Sequence, residues 1–221
     1  MTRLFIARIA LISSIFAWQL SCANAETATA VFHRMYEFFD AAEGRAGFDQ
    51  KIVTSLRDQV QLTENITSRY DAATIPPDYV RALALNASIL QSAIDDRDSA
   101  KSNAAIKLVR DDLALKNSYE SSVSGAKETF RGKVQVEIYV KRVAAEVPGL
   151  IVGVNPRLWQ DSSQIMFPIG PSSPARGAIP PGLYRVFVSM PGGEPVVAQD
   201  CSIGLTGKDS EPLTVVLPDG K

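Results

Sequence analysis

The sequence predicts an α+β protein: an N-terminal antiparallel helical bundle followed by a C-terminal antiparallel β-sandwich. Three observations lead there. From about residue 26 to 122, apolar side chains recur at three- and four-residue steps, the spacing of one helix face. Past Gly125 the step shortens to two, as where Val134, Val136, Ile138 and Val140 alternate with Gln135, Glu137, Tyr139 and Lys141. The hydrophobic share of 46% against 21% charged residues is enough apolar surface to form compact units from 221 residues.

The first 25 residues read as a secretory leader and are set apart from the fold. Arg3 and Arg8 make the start basic, residues 9–20 are mostly apolar, and Ala23-Asn24-Ala25 is a small-residue cleavage signal, which places cleavage after Ala25. The apolar run is shorter than the roughly 20 residues that a bilayer span requires. No transmembrane span is therefore expected after cleavage. Cys22 would suit lipid anchoring only with a Leu three positions earlier, where Gln19 stands, so anchoring there is not expected. These features point to a periplasmic or secreted protein. Loss of the leader removes two Arg and no acid, moving the formal charge from −1 to −3. A mildly acidic chain without a basic stripe repels phosphate backbones, so nucleic acid is not an expected partner. Cys201 is then the only cysteine, and an intrachain disulfide has no second thiol.

Residues 26–125 form the expected helical unit. Val31, Phe32, Met35, Tyr36, Phe38, Phe39 and Ala42 make one stripe, which Gly44 and Gly47 end. A second helix starts near Phe48 with Ile52, Leu56 and Val60, and runs toward Tyr70. Pro76-Pro77 stops it and opens a third, with Pro77 in the first turn where a missing N–H costs nothing. Tyr79, Leu83, Leu90 and Ile94 form its row. Ser99 or Ser102 is the expected cap of a fourth helix carrying Ala105, Leu108, Val109 and Leu113, which fades near Tyr119. Short connections favour antiparallel neighbours.

Residues 130–221 form the expected β unit. After the first strand come short apolar strands over 150–154 and 165–167, then a long turn-rich connection over 168–182. Tyr184, Val186, Val188 and Met190 line the inner face of a central strand, and Pro191-Gly192-Gly193 turns the chain. Val197, Cys201 and Ile203 follow, and Leu213, Val215 and Leu217 close the unit, for about six strands. The run from Ala178 to Val188, with Pro180-Pro181-Gly182-Leu183-Tyr184 at its centre and Pro191-Gly192-Gly193 after it, resembles the Pro-Gly hairpin of carboxypeptidase-regulatory-like and other prealbumin-like sandwich domains. That resemblance implies an Ig-like or prealbumin-like sandwich with an accessory or binding role, and transfers no functional residue. The connection over 155–164 and the lack of an early Gly-Asp turn depart from the family pattern.

Few residues offer chemistry. His33 is the single histidine, which excludes His-clustered zinc, H-E-x-x-H and C-x-x-C-H sites. It lies beside the apolar stripe of the first helix and reads as a partly exposed surface group. There is no G-x-S-x-G elbow to supply a nucleophile. Cys201 has inward parity, and the neighbouring Asp200 opposes a thiolate. Asp95, Asp96 and Asp98 lack the Gly and distant Glu of a calcium loop and read as a solvated turn. Asp111 and Asp112 fall mid-helix, one of them exposed and pairing weakly with Arg110 or Lys107. Asn65 and Asn86 begin glycosylation sequons on helices. Trp159, Phe167 and Tyr184 could line a groove, although aromatic rings in a sandwich are more often core.

The expectation is a non-enzymatic binding or interaction module of the cell envelope, requiring no catalytic residue, cofactor or metal. Its partner is another envelope protein or a surface glycan. Loop 170–177, with Ser172, Ser173 and Arg176, is the expected contact, joined by Trp159. Two alternatives stay open: a periplasmic carrier of a small ligand or carbohydrate, bound between the halves, and a glycan hydrolase using carboxylates alone. The latter requires two acids roughly 5 to 9 Å apart.

Overall fold

The computed structural model describes residues 26–122, 130–142, 145–157, 159, 166–172, 174–193 and 195–218. The expected leader and the boundary between the halves at 123–129 lie outside them. Among the described residues four helices come first: α1 (Ala28–Ala42), α2 (Gln50–Thr67), α3 (Pro77–Asp95) and α4 (Ser99–Ser121). Eight strands follow among the described residues: β1 (Val134–Arg142), β2 (Ala145–Glu146), β3 (Ile151–Pro156), β4 (Phe167–Pro171), β5 (Ala175–Ile179), β6 (Gly182–Ser189), β7 (Pro195–Ile203) and β8 (Ser210–Val216). The α+β class and the order of its parts are as the two hydrophobic periods require.

Capping residues set the helix ends. Thr27 accepts from the Ala30 N–H, and Asp49 accepts from Lys51 and Ile52. Pro77 opens α3 as expected. The expected Ser cap of α4 is corrected: Asp98 is the cap, accepting from the N–H groups of Ala100 and Lys101 at 3.0 and 3.2 Å. Its carboxylate carries full charge to the positive helix end, where a hydroxyl carries none. Ser102 instead lies buried and donates to the Ala93 carbonyl at 2.9 Å, joining the end of α3 to the start of α4. That contact and the Asn86–Asp112 hydrogen bond show α3 and α4 running antiparallel. Between α2 and α4 the Asp49 N–H meets Asn103, and Thr63 meets Asn117. Both pairs are 54 residues apart, so these two helices lie parallel.

The sandwich has two four-stranded sheets. One has the order β4-β3-β6-β7 with every pairing antiparallel. In the other, β1 pairs antiparallel with β2 and β5, and β8 lies parallel to β1 from Gln135↔Ser210 to Lys141↔Val216. Pro212 is accommodated because β8 borders that sheet and needs hydrogen bonds on one side only. The turn-rich connection expected over 168–182 is also corrected, since it contains most of β4 and all of β5. Pro168 and Pro171 hid β4, which tolerates them as a border strand. Gly177 hid β5, where a Cβ would stand 3.0 Å from Ile169 Cδ1. Met190 does not face the core: β6 ends at Ser189 with a bulge, leaving Met190 57% exposed.

Each half has its own apolar cluster, and each cluster takes one residue from the other half. Tyr119, near the end of α4, belongs to the sandwich cluster with Val134, Tyr184 and Ile203. Phe130, just before β1, belongs to the helical cluster, its ring 4.8 Å from that of Tyr79.

Candidate functional site

Among the described residues, a cluster of buried polar side chains lies where α3, α4 and β6 meet. Down α4 the buried stripe runs Ile106, Val109, Leu113 and then continues in polar residues, Lys116, Asn117 and Glu120, with Asp112 beside it. Asp112 and Lys116 are one helical turn apart and only 4% and 1% exposed. Lys116 Nζ donates to Asp112 Oδ2 at 2.5 Å, and Asn86 Nδ2 donates to the same oxygen at 2.8 Å. The other oxygen, Oδ1, accepts from the backbone N–H of Leu183 at 2.8 Å. The carboxylate thus holds two helices and the first residues of β6 together.

Gly182 makes that approach possible, because a Cβ there would fall 2.5 Å from Asp112 Oδ1 and 2.9 Å from Lys116 Nζ. Tyr184, two residues on, is buried and donates its hydroxyl to the Pro180 carbonyl at 2.7 Å. The Pro-Pro-Gly-Leu-Tyr segment is therefore shaped by its fit to α4 as well as by its own turn. Tyr79 is fully buried nearby, its phenol pushed up by burial and by the charges of Glu120 and Asp112, and its hydroxyl has no partner among the described residues.

A second polar group lies where α4 ends. Glu120 accepts from the Gly132 N–H at 2.9 Å and the Arg131 N–H at 3.4 Å, while burial raises its pKa above the usual carboxylate value. The Arg131 guanidinium lies 3.8 Å over the Tyr119 ring. It donates to the carbonyls of Tyr119 and Gly207 at 3.1 and 3.0 Å and to the Asp209 carboxylate. Lys133 reaches back to Asp78 on α3 at 2.7 Å, and Tyr119 donates to the Lys133 carbonyl at 2.9 Å. No family model, curated protein or solved structure matches the chain. The functional reading therefore rests on this geometry and on the sequence.

The expected contact residues are not brought together. Ser172 is corrected: it is 1% exposed, and its hydroxyl donates to the Val147 carbonyl at 2.6 Å and accepts from the Leu150 N–H at 3.1 Å. It closes the chain ends of β3 and β4 and offers no surface. Ser173 lies outside the described residues. Arg176 is exposed on β5, donating to Glu137 at 2.8 Å across the outer face of its sheet. Trp159 follows β3 at the opposite end from Ser172, half-buried, with its indole N–H enclosed and without a partner among the described residues.

The other sequence-marked groups also have definite places. His33 is exposed on α1, 3.3 Å from Glu37. Cys201 is half-buried, its thiol pushed up to about 12 by burial and then by Asp200 and Glu211, which opposes thiolate chemistry as the sequence implied. Asp111 pairs with Arg110 at 2.6 Å, the weak surface contact expected of that pair of acids. Asp112 and Lys116 were not legible as a site from the sequence. The available signal was a polar row, Asp112, Lys116 and Glu120 at four-residue steps, continuing the apolar stripe of α4. Asn86, at one sequon, is buried and bound to Asp112, so the folded chain does not present it for glycosylation.

Proposed function

We propose that this chain is an exported, non-enzymatic interaction module of the cell envelope, in which the helices hold a β-sandwich that presents its far end to another envelope protein or a surface glycan. The observation that carries this reading is the exposure of apolar side chains at the sandwich end opposite the helices. Ile151 pairs with Ser189 and Pro171 at that end, and it and Met190 are 39% and 57% exposed. Pro171 and the Pro191-Gly192-Gly193 turn are exposed beside them. Loops at sandwich ends are common binding surfaces, and clustered exposed apolar groups favour contact with a partner. The resemblance of the β6–β7 hairpin to carboxypeptidase-regulatory-like domains agrees with an accessory role, and the leader-like first 25 residues agree with export.

The carrier reading needs room for a ligand between the halves. That space is filled by Asp112, Lys116, Gly182 and Leu183 in direct contact, so it has less support. The hydrolase reading needs acids converging in an open cleft. Asp112 and Glu120 are buried and engaged by backbone N–H groups of the β half, which gives that reading less support as well.

Cell fractionation combined with affinity capture tests the proposal. The full chain is expected in the envelope fraction with a copurifying protein or glycan, and a folded Met190→Asp variant is expected to lose that partner. A cytoplasmic location, or capture unaffected by Met190→Asp together with Ile151→Asp, would overturn it.

A further inference from the structure

We infer that the junction of α3, α4 and β6 is a conformational lock that makes the two halves one cooperative unit, so that neither the helices nor the sandwich opens alone. The inference is independent of the proposed function. It rests on reciprocal insertion: Tyr119 of α4 is part of the sandwich core, and Phe130 of the β half is part of the helical core. Withdrawing either half leaves a large aromatic cavity in the other, which is among the costliest changes a core can undergo.

The polar contacts reinforce this. The Asp112 carboxylate takes hydrogen bonds from α3, α4 and β6, so separating the halves breaks the bond between Oδ1 and the Leu183 N–H and uncovers the Asp112–Lys116 pair. The contact with Gly182 is too close for an ordinary side chain at that position, so a Cβ there would push the hairpin away from Asp112 and Lys116 on α4. At the other end of the junction, Arg131 joins the Tyr119 and Gly207 carbonyls, and Glu120 accepts from Gly132. Two separate polar groups and two exchanged aromatics must therefore fail together before one half can move. Domains joined only by a modest polar interface ordinarily move independently.

Native-state hydrogen exchange on the full chain tests the lock. Amides near Leu113 in α4 and near Val186 in β6 are expected to open with one common protection factor and one common dependence on denaturant. A conservative Asp112→Asn replacement is expected to lower both by the same factor, about a hundredfold, because it leaves Lys116 a buried cation without its counter-charge. Sandwich amides exchanging freely while α4 stays protected, or the reverse, would overturn the inference. That result is readable in the unaltered chain even if Asp112→Asn does not fold.

Discussion

The middle of the bundle and its junction with the sandwich are both buried, yet they are built from opposite materials. Around Leu56, Leu83, Leu90 and Leu113 the packing is hydrocarbon against hydrocarbon, and Phe38 meets Phe39 edge to face at 5.4 Å. Around Asp112 the contacts are an ion pair, a carboxamide and a backbone N–H. Apolar packing is non-directional and tolerates replacement by groups of similar volume. A buried carboxylate with three donors on its two oxygens is held in a defined geometry, and losing one partner exposes the full desolvation cost of the rest. The bundle interior thus supplies bulk stability, while the junction specifies how the halves meet.

Replacements that separate these two kinds of burial test the contrast. Asp112→Ala carries the largest expected effect, roughly 3 to 5 kcal/mol in urea unfolding, because Lys116 is left buried and unpaired. Adding Lys116→Met to an Asp112→Leu chain is expected to recover part of that loss, since it removes the unpaired charge while the Asn86 carboxamide and the Leu183 N–H still lack their acceptor. If the double variant is as unstable as the single one, specific charge contacts matter less than shape. Leu83→Ala in the bundle interior is expected to cost about 3 kcal/mol, from the lost burial and the cavity left behind.

Glu120 sharpens the comparison through pH. Its folded pKa is raised, so the folded chain holds the proton more tightly than the unfolded one. Its contribution is fully present below the unfolded glutamate value of about 4.3 and is lost as pH rises through the raised folded value. Against Glu120→Gln, the native chain is therefore expected to gain stability as pH falls from about 7 to 4. A difference that stays flat, or grows with rising pH, contradicts the cause assigned to the shift. The smallest effect is expected at Arg176→Ala, where the exposed contact with Glu137 leaves the unfolding midpoint unchanged.

The contrast also explains what could be read in advance. Periodicity is written by hydrocarbon, so α1, α3, β1 and β6 were legible from Phe32, Leu83, Val136 and Val186 and their neighbours. Strand β5 was not, because Ala175-Arg176-Gly177-Ala178-Ile179 is a strand by its pairing with β1 and not by its own alternation. The reach of β1 to a parallel β8 is likewise set by packing between distant segments. Asp111 and Asp112 read as a mid-helix pair with one member exposed, and the four-residue row through Asp112, Lys116 and Glu120 was the only local mark of which one turns inward. The role of Asp112 depends on Leu183, 71 residues later, and a contact at that separation leaves no periodic trace. Ser172 was misplaced for a related reason, since a Gly/Pro/Ser run suggests exposure while its hydroxyl serves the turn internally.

The central claim, that exchanged aromatics and one buried carboxylate bind the halves into a single unit, is most directly tested by equilibrium unfolding followed with two probes. In a chain that starts at Glu26, Trp159 is the single tryptophan and its fluorescence reports the β half, while far-ultraviolet circular dichroism reports mainly the helices. The account predicts one denaturation curve, superimposable for both probes and displaced as a whole by Asp112→Ala. Two curves with separate midpoints, only one of them moved by that replacement, would contradict it.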